Sequence, residues 1–310
     1  MKILLATDGS EYSEGAARFL TCLNLSQDDE ITIFHAVSWV PFLYDEESYY
    51  SSFKEIKKEL APRILDSAAD ILKPVNAKIS TAIIDGSPEY YIVKAAEESD
   101  MDMIVMGARG IKGIKSLFIG SVTKSVAVNS PKPVFIAKLP VCKKSDRIKI
   151  LFATDGSDYS VATGEFLSSI PFPDNTEITI LNVIWSDFSD IPERFAMEVN
   201  ERVKEAVVKD RTIEFTESER VIEQARKYLS KRFKNINVLS KVGDPSSEIL
   251  NTAETLKTDI IAVGCRGLSG IKGIMGSVSR NILTHSKCSV LIGKTLKATG
   301  VNAGGFPGMT

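Results

Sequence analysis

At 310 residues the chain exceeds one typical domain of about 150 and points to two. Hydrophobic residues at 44% and charged residues at 25% exclude a disordered or fibrous chain. With 38 Lys and Arg against 40 Asp and Glu, no basic field exists to hold a polyanion, which argues against nucleic acid as the main partner.

The apolar start, Met1 to Leu5, is too short for a signal-peptide core, and no run reaches the length of a membrane span. A cytoplasmic chain without membrane contact is expected. Cys22, Cys142, Cys265 and Cys288 stand without a CxxC pair and read as reduced structural thiols.

In chain order, Ile/Val/Leu-rich runs predict strands at about 2–7, 30–37, 78–84, 102–107 and 133–138. Between them, helical periodicity predicts helices from near Ser10, after Tyr44, at Pro88 and at Ser121, Pro88 suiting a first helical turn. Nine residues, Leu139 to Arg147, then span at most about 30 Å. So short a linker implies that the halves on either side pack together.

Beyond the linker the pattern repeats. Ile3 to Leu20 matches Ile150 to Leu167, both opening on an Ala-Thr-Asp-Gly-Ser run, and Glu30–Val37 matches Glu177–Ile184 at the same offset. Gly86-Ser-Pro88 then matches Gly243-Asp-Pro245, and Met103–Gly107 matches Ile260–Gly264, after about ten extra residues that follow Ile184. The expected domains are 1–141 and 147–295, with a frayed tail at 296–310. Each is an α/β domain with a five-stranded parallel sheet, buried on both faces by crossover helices and doubly wound. Its ligand crevice should lie at the carboxyl ends of the strands, where the winding reverses.

The most informative stretch follows the fourth strand: Gly107-Ala-Arg-Gly110, nine residues, then Gly120-Ser121-Val122-Thr123 opening a helix. The two early glycines would permit positive φ and close ligand approach, and the helix start would offer unpaired amides and its dipole to a phosphate. Ser121 would cap the helix or donate to a phosphate oxygen. The alternative is that the glycines make a tight turn and Ser121 only caps. Neither GxxxxGK[ST] nor GxGxxG fits, which disfavours ordinary P-loop hydrolysis and dinucleotide binding.

The spacing Gly107-x2-Gly110-x9-Gly120-Ser121 resembles the G-2x-G-9x-G-(S/T) signature of ATP-binding universal stress proteins, and Asp8 and Gly86-x-Pro88 fit that family too. The resemblance covers nearly the whole chain, twice. It implies a Rossmann-like fold of the adenine nucleotide alpha hydrolase kind, with ATP, alone or with Mg2+, as the ligand. By it, Asp8 at the end of strand one and Ala36 after strand two face the adenine and ribose, while Gly107, Arg109, Gly110, Gly120, Ser121 and Val122 hold the phosphates. Members commonly dimerise through the fifth strand, which implies that pairing between the two repeats and leaves a homodimer of the whole chain open.

Physically, Asp8 can accept bonds from sugar hydroxyls or an adenine amino group, or it can cap the helix that follows. Arg109 can clamp a phosphate or lie solvated. The matching positions in the second repeat are Asp155, Val183, Gly264, Arg266, Gly267, Gly276 and Ser277, but only eight residues separate Gly267 from Gly276, with Gly270 and Gly273 among them. A second site weaker for ATP, or holding another nucleotide, is expected.

His35 and His285 have no acid or thiol at ligand spacing, so core or surface roles are expected, and no Ser-His-Asp order or metal cluster is apparent. The charged helical stretch between 193 and 233 reads as a solvated surface. These features favour a nucleotide-dependent stress-response binding protein. A slow ATPase or nucleotidyl transferase using the same crevice, and a nucleotide-free scaffold, are the alternatives.

Overall fold

A computed structural model describes residues 1–38, 47–110, 119–140, 147–185, 201–267 and 275–295, without the side chains of 47–54 and 201–211. The first half runs β1 (Lys2–Ala6), α1 (Glu11–Thr21), β2 (Glu30–Val37), α2 (Glu47–Leu72), β3 (Lys78–Asp85), α3 (Pro88–Glu98), β4 (Met103–Gly107), α4 (Ser121–Asn129) and β5 (Val134–Ala137). The second repeats it as β6 (Lys149–Ala153), α5 (Asp158–Ser169), β7 (Glu177–Ile184), α6 (Glu201–Leu229), β8 (Asn235–Val242), α7 (Pro245–Leu256), β9 (Ile260–Gly264), α8 (Ser277–His285) and β10 (Ser289–Gly293). Cys142, the linker from 141 to 146, the tail and much of the extra segment after Ile184 lie outside the described residues.

All ten strands join one sheet in the order β3-β2-β1-β4-β5-β10-β9-β6-β7-β8. Neighbours within each half are parallel, and β5 and β10 pair antiparallel, Phe135 opposite Leu291. The fifth strands therefore pair between the repeats of this one chain.

The inner strands read as unbroken apolar runs because helices cover both their faces, and alternate residues enter opposite layers. Ile3 and Leu5 join a core layer with Phe19, Phe135, Phe152 and Phe172, whereas Leu4 and Ala6 join one with Ile104, Ile136, Ile261 and Val290. Both layers run through the two halves. The Phe19 ring stacks on Phe135 with centroids 3.7 Å apart and meets Phe172 of the second half edge-on at 6.4 Å, while Asn24 N–H donates to the Pro171 carbonyl at 2.7 Å.

Burial on both faces does not extend to the outer strands. β3 and β8 are exposed at most positions, because an edge strand has a neighbour on one side only, and both carry charged or polar residues there. Helix α6 exposes much of its surface but buries Val221, Ile222, Ala225 and Leu229 against the core. Among the described residues no helix is long and apolar enough to cross a membrane.

Candidate functional site

Strand β1 lies between β2 and β4, so the winding reverses at β1 and β4, and their carboxyl ends open the crevice that such sheets offer to ligands. β6 and β9 repeat this in the second half. Asp8 leaves the end of β1, and Gly107 is the last residue of β4.

Asp8 is not the helix cap. Ser10 caps α1, its Oγ accepting from Ser13 N–H at 3.3 Å, while Asp8 Oδ1 accepts from Ser10 N–H at 3.1 Å and from Ser10 Oγ–H at 2.6 Å. The second half makes the same bonds between Asp155, Ser157 and Ser160. One carboxylate oxygen thus steadies the cap, and the other faces the glycine loop. A Cβ at Gly110 would stand 2.3 Å from Asp8 Oδ2, and one at Gly267 2.6 Å from Asp155 Oδ2.

The positive φ expected of the early glycines does not hold. None of Gly107, Gly110, Gly264 and Gly267 has positive φ, which occurs instead at Gly9, Gly86, Gly156 and Gly243. A Cβ at Gly107 would strike the backbone of Tyr12 and Ser13 at 2.6–2.8 Å, so this glycine lets α1 pack on the end of β4. Gly264 does the same for α5 against Tyr159 and Ser160.

Gly120 differs. It is the N-cap of α4 in an extended conformation, and a Cβ there would meet Ala108 O, the Arg109 Cα and Thr123 Oγ1 at an ordinary 3.5–3.6 Å. Among the described residues, therefore, none requires glycine here. Its N–H is not unpaired as expected, since it donates to the Ala108 carbonyl at 2.9 Å, and Gly276 N–H donates to Cys265 O at 2.8 Å. Ser121 is the first helical residue rather than the cap, and neither Gly120 nor Gly276 provides a capping side chain for the amides of the first turn. The residues between Gly110 and Gly120, and those between Gly267 and Gly276 including Gly270 and Gly273, lie mostly outside the described residues.

Ala36 lies within β2, not after it, and continuing the β1–β2 register beyond Ala6 opposite Phe34 sets it level with Asp8. Val183 holds the same place in β7. Arg109 is partly buried, its guanidinium 5.3 Å over the Tyr12 ring, and Arg266 lies 5.0 Å over Tyr159 and donates to its hydroxyl. Each arginine is thus held at the mouth of the crevice by a cation–π contact rather than left in solvent. Val122 and Val278 pack, half-buried, against the core.

Sequence reasoning passed over one supporting pair. The buried His35 bonds through Nδ1 to the Thr7 carbonyl at 2.8 Å, so that nitrogen carries the proton, and Asn182 donates to Thr154 O at the same distance. Both fix the peptide just before the aspartate. His285 is the last residue of α8, bonding back to Asn281 O at 3.1 Å. Cys265 is buried and Cys288 partly so, and burial raises both thiols, Cys288 to about 11. Among the described residues no cluster of His, Cys, Asp and Glu is set to hold a metal.

Comparison with known proteins agrees with this doubled arrangement. The model of the universal stress protein family matches residues 1–138 and again 147–294. A universal stress protein of Mycolicibacterium smegmatis is 22% identical over 298 residues, covering 94% of this chain and 96% of its own length. One from Methanocaldococcus jannaschii is 31% identical over 140 residues, 45% of this chain and 82% of that protein. In three dimensions, a universal stress protein from Archaeoglobus fulgidus matches with a TM-score of 0.62 at 23% identity, covering 95% of this chain and 96% of that one. The chain belongs to the universal stress protein family and carries its domain twice in tandem.

Proposed function

We propose that this protein is a cytoplasmic, nucleotide-responsive regulatory protein of the stress response, and that its first repeat binds ATP, alone or with Mg2+ carried on the phosphates. The observation that carries the reading is Gly120: among the described residues nothing around it demands a glycine, and as the N-cap of its helix it brings no capping side chain. A side chain there would occupy the space a phosphate needs to reach the first-turn amides. Asp8 and Ala36 would take the nucleoside end. Arg109, the Ser121 hydroxyl and the amides of Ser121 and Val122 would take the phosphates, with Gly107 and Gly110 shaping the loop. Binding of this kind shifts a conformational equilibrium by the ligand's differential affinity for its two states and needs no turnover.

In the second repeat, Asp155, Val183, Gly264, Arg266, Gly267, Gly276 and Ser277 would form a weaker site. Its loop is one residue shorter, Cys265 stands where the first repeat has Ala108, and a Cβ at Gly276 would already meet Ser279 Oγ at 3.3 Å. The test is the thermal shift on adding ATP. A ligand at a hundred times its Kd adds about 2.7 kcal/mol of stability. The wild type should gain this, and Gly120→Val should lose most of it. A wild type that gains nothing counts against the reading, and ADP accumulating at catalytic rates would favour the ATPase alternative.

A further inference from the structure

The two halves exchange one buried lysine each. Lys138 follows β5 and crosses the junction to α8, its Nζ donating to the carbonyls of Leu283 at 2.8 Å and Ser286 at 2.7 Å and to Ser286 Oγ at 2.9 Å. Lys294 follows β10 and crosses the other way to α4, donating to the carbonyls of Ala127 at 2.8 Å and Val128 at 3.3 Å. Their relative exposures are 8% and 7%, so these ammonium groups have little contact with water.

The acceptors lie in the last turns of α4 and α8 and at the cap of α8, where helix carbonyls lack intrahelical partners and the dipole is negative. Burying an ammonium is unfavourable, and burial lowers both lysines from their ordinary range, Lys138 to about 8. What the cations hold in return is specific: the far ends of the two helices that begin at Gly120-Ser121 and Gly276-Ser277.

We infer that Lys138 and Lys294 are positioning residues that couple the two nucleotide sites, each seating the helix on which the other repeat's phosphate site opens. This rests on the nucleotide reading above. Helix α4 has nine residues and is about 13 Å long, short enough to move as a rod. It is tied at its start by Gly120 N–H to Ala108 O and by Thr123 Oγ1 to Gly107 O at 2.9 Å, and at its end by Lys294.

The contacts continue to the other site. Lys294 adjoins Gly293, whose carbonyl accepts from Cys265 N–H at 3.0 Å, next to Arg266. Lys138 adjoins Ala137, whose carbonyl accepts from Ala108 N–H at 2.9 Å, next to Arg109. A phosphate drawing α4 toward itself therefore pulls on the strand end that carries the second repeat's loop, and the converse path is equally direct.

The test uses the full-length protein and 8-azido-ATP, with crosslinked peptides assigned to one repeat or the other across a titration. Lys294→Met should weaken capture in the first repeat about tenfold and Lys138→Met should do so in the second, each acting across the junction. A merely structural role in seating the opposite helix would lower that repeat alone and leave the two sites independent, whereas coupling makes occupancy of one repeat change capture in the other in the wild type, a dependence the methionine variants lose. Should a methionine variant not fold, Lys294→Gln and Lys138→Gln keep a donor while losing the charge and support the same comparison. Wild-type capture with unchanged affinity in the opposite repeat overturns the coupling alone. No saturable capture by the wild type overturns the nucleotide reading and the coupling with it.

Discussion

Asp8 and Gly110 are fitted to each other: a Cβ on residue 110 would stand 2.3 Å from Asp8 Oδ2. The carboxylate is anchored on its other oxygen by Ser10, so it cannot swing aside without losing those bonds. Gly110→Ala should therefore displace the Asp8 carboxylate and cost nucleotide affinity, while the part-exposed Ser10 bonds that it strains can be exchanged for water, so that stability falls by only about 1 kcal/mol. Gly107→Ala, which strikes the Tyr12 backbone, should instead cost about 1–3 kcal/mol of stability. Urea melts of the two variants check the contrast, and equal costs would contradict it.

Gly120→Ala should leave stability within about 1 kcal/mol of wild type or raise it. The backbone there is extended, the added Cβ meets only ordinary contacts among the described residues, and the unfolded chain loses freedom. On the proposed function it nevertheless weakens ATP binding, as calorimetric titration would show. Lost stability with unchanged binding would make Gly120 a structural residue.

The junction should melt as one unit with both halves. Phe172 is 1% exposed and touches the Phe19 and Phe233 rings, so Phe172→Ala should cost about 3–5 kcal/mol. Amide exchange followed through both halves should reveal a common loss of protection. Loss confined to the second half would show that the shared core does not couple them.

Lys138 predicts a dependence on pH. Burial is the chief cause that lowers it from 10.5 to about 8, Cys288 opposing and Arg109 adding to the shift. Between those values the unfolded chain binds more protons than the folded one, so this group makes stability rise with pH through the window. Below about 8 the lysine is charged in both states and its contribution is flat. The wild-type slope should therefore exceed that of Lys138→Met in urea melts taken across this range, and equal slopes would contradict the assignment.

Strand positions, the duplicated order and the strands at which the winding reverses were legible because periodicity and repetition can be read from the residues themselves. The role of each glycine was not. Gly107 and Gly110 look alike in sequence, and only the approach of α1 and of Asp8 separates helix packing from carboxylate packing. The sequence left Asp8 open between reading a nucleotide and capping the helix, and the structure gives the cap to Ser10. Exposure of β3 and β8 followed from their place at the sheet edges, which no run of residues announces. Matching His35 to Asn182 at the repeat offset would have found the second support. The exchange of Lys138 and Lys294 joins positions about 150 residues apart and had no local signature.

The central claim, that the first repeat binds ATP, is tested most directly by equilibrium dialysis of the full chain against labelled ATP, with Gly120→Val alongside. The account predicts saturable binding whose tighter component disappears in the variant. Absence of saturable binding in the wild type, or an unchanged tight component in Gly120→Val, would contradict it.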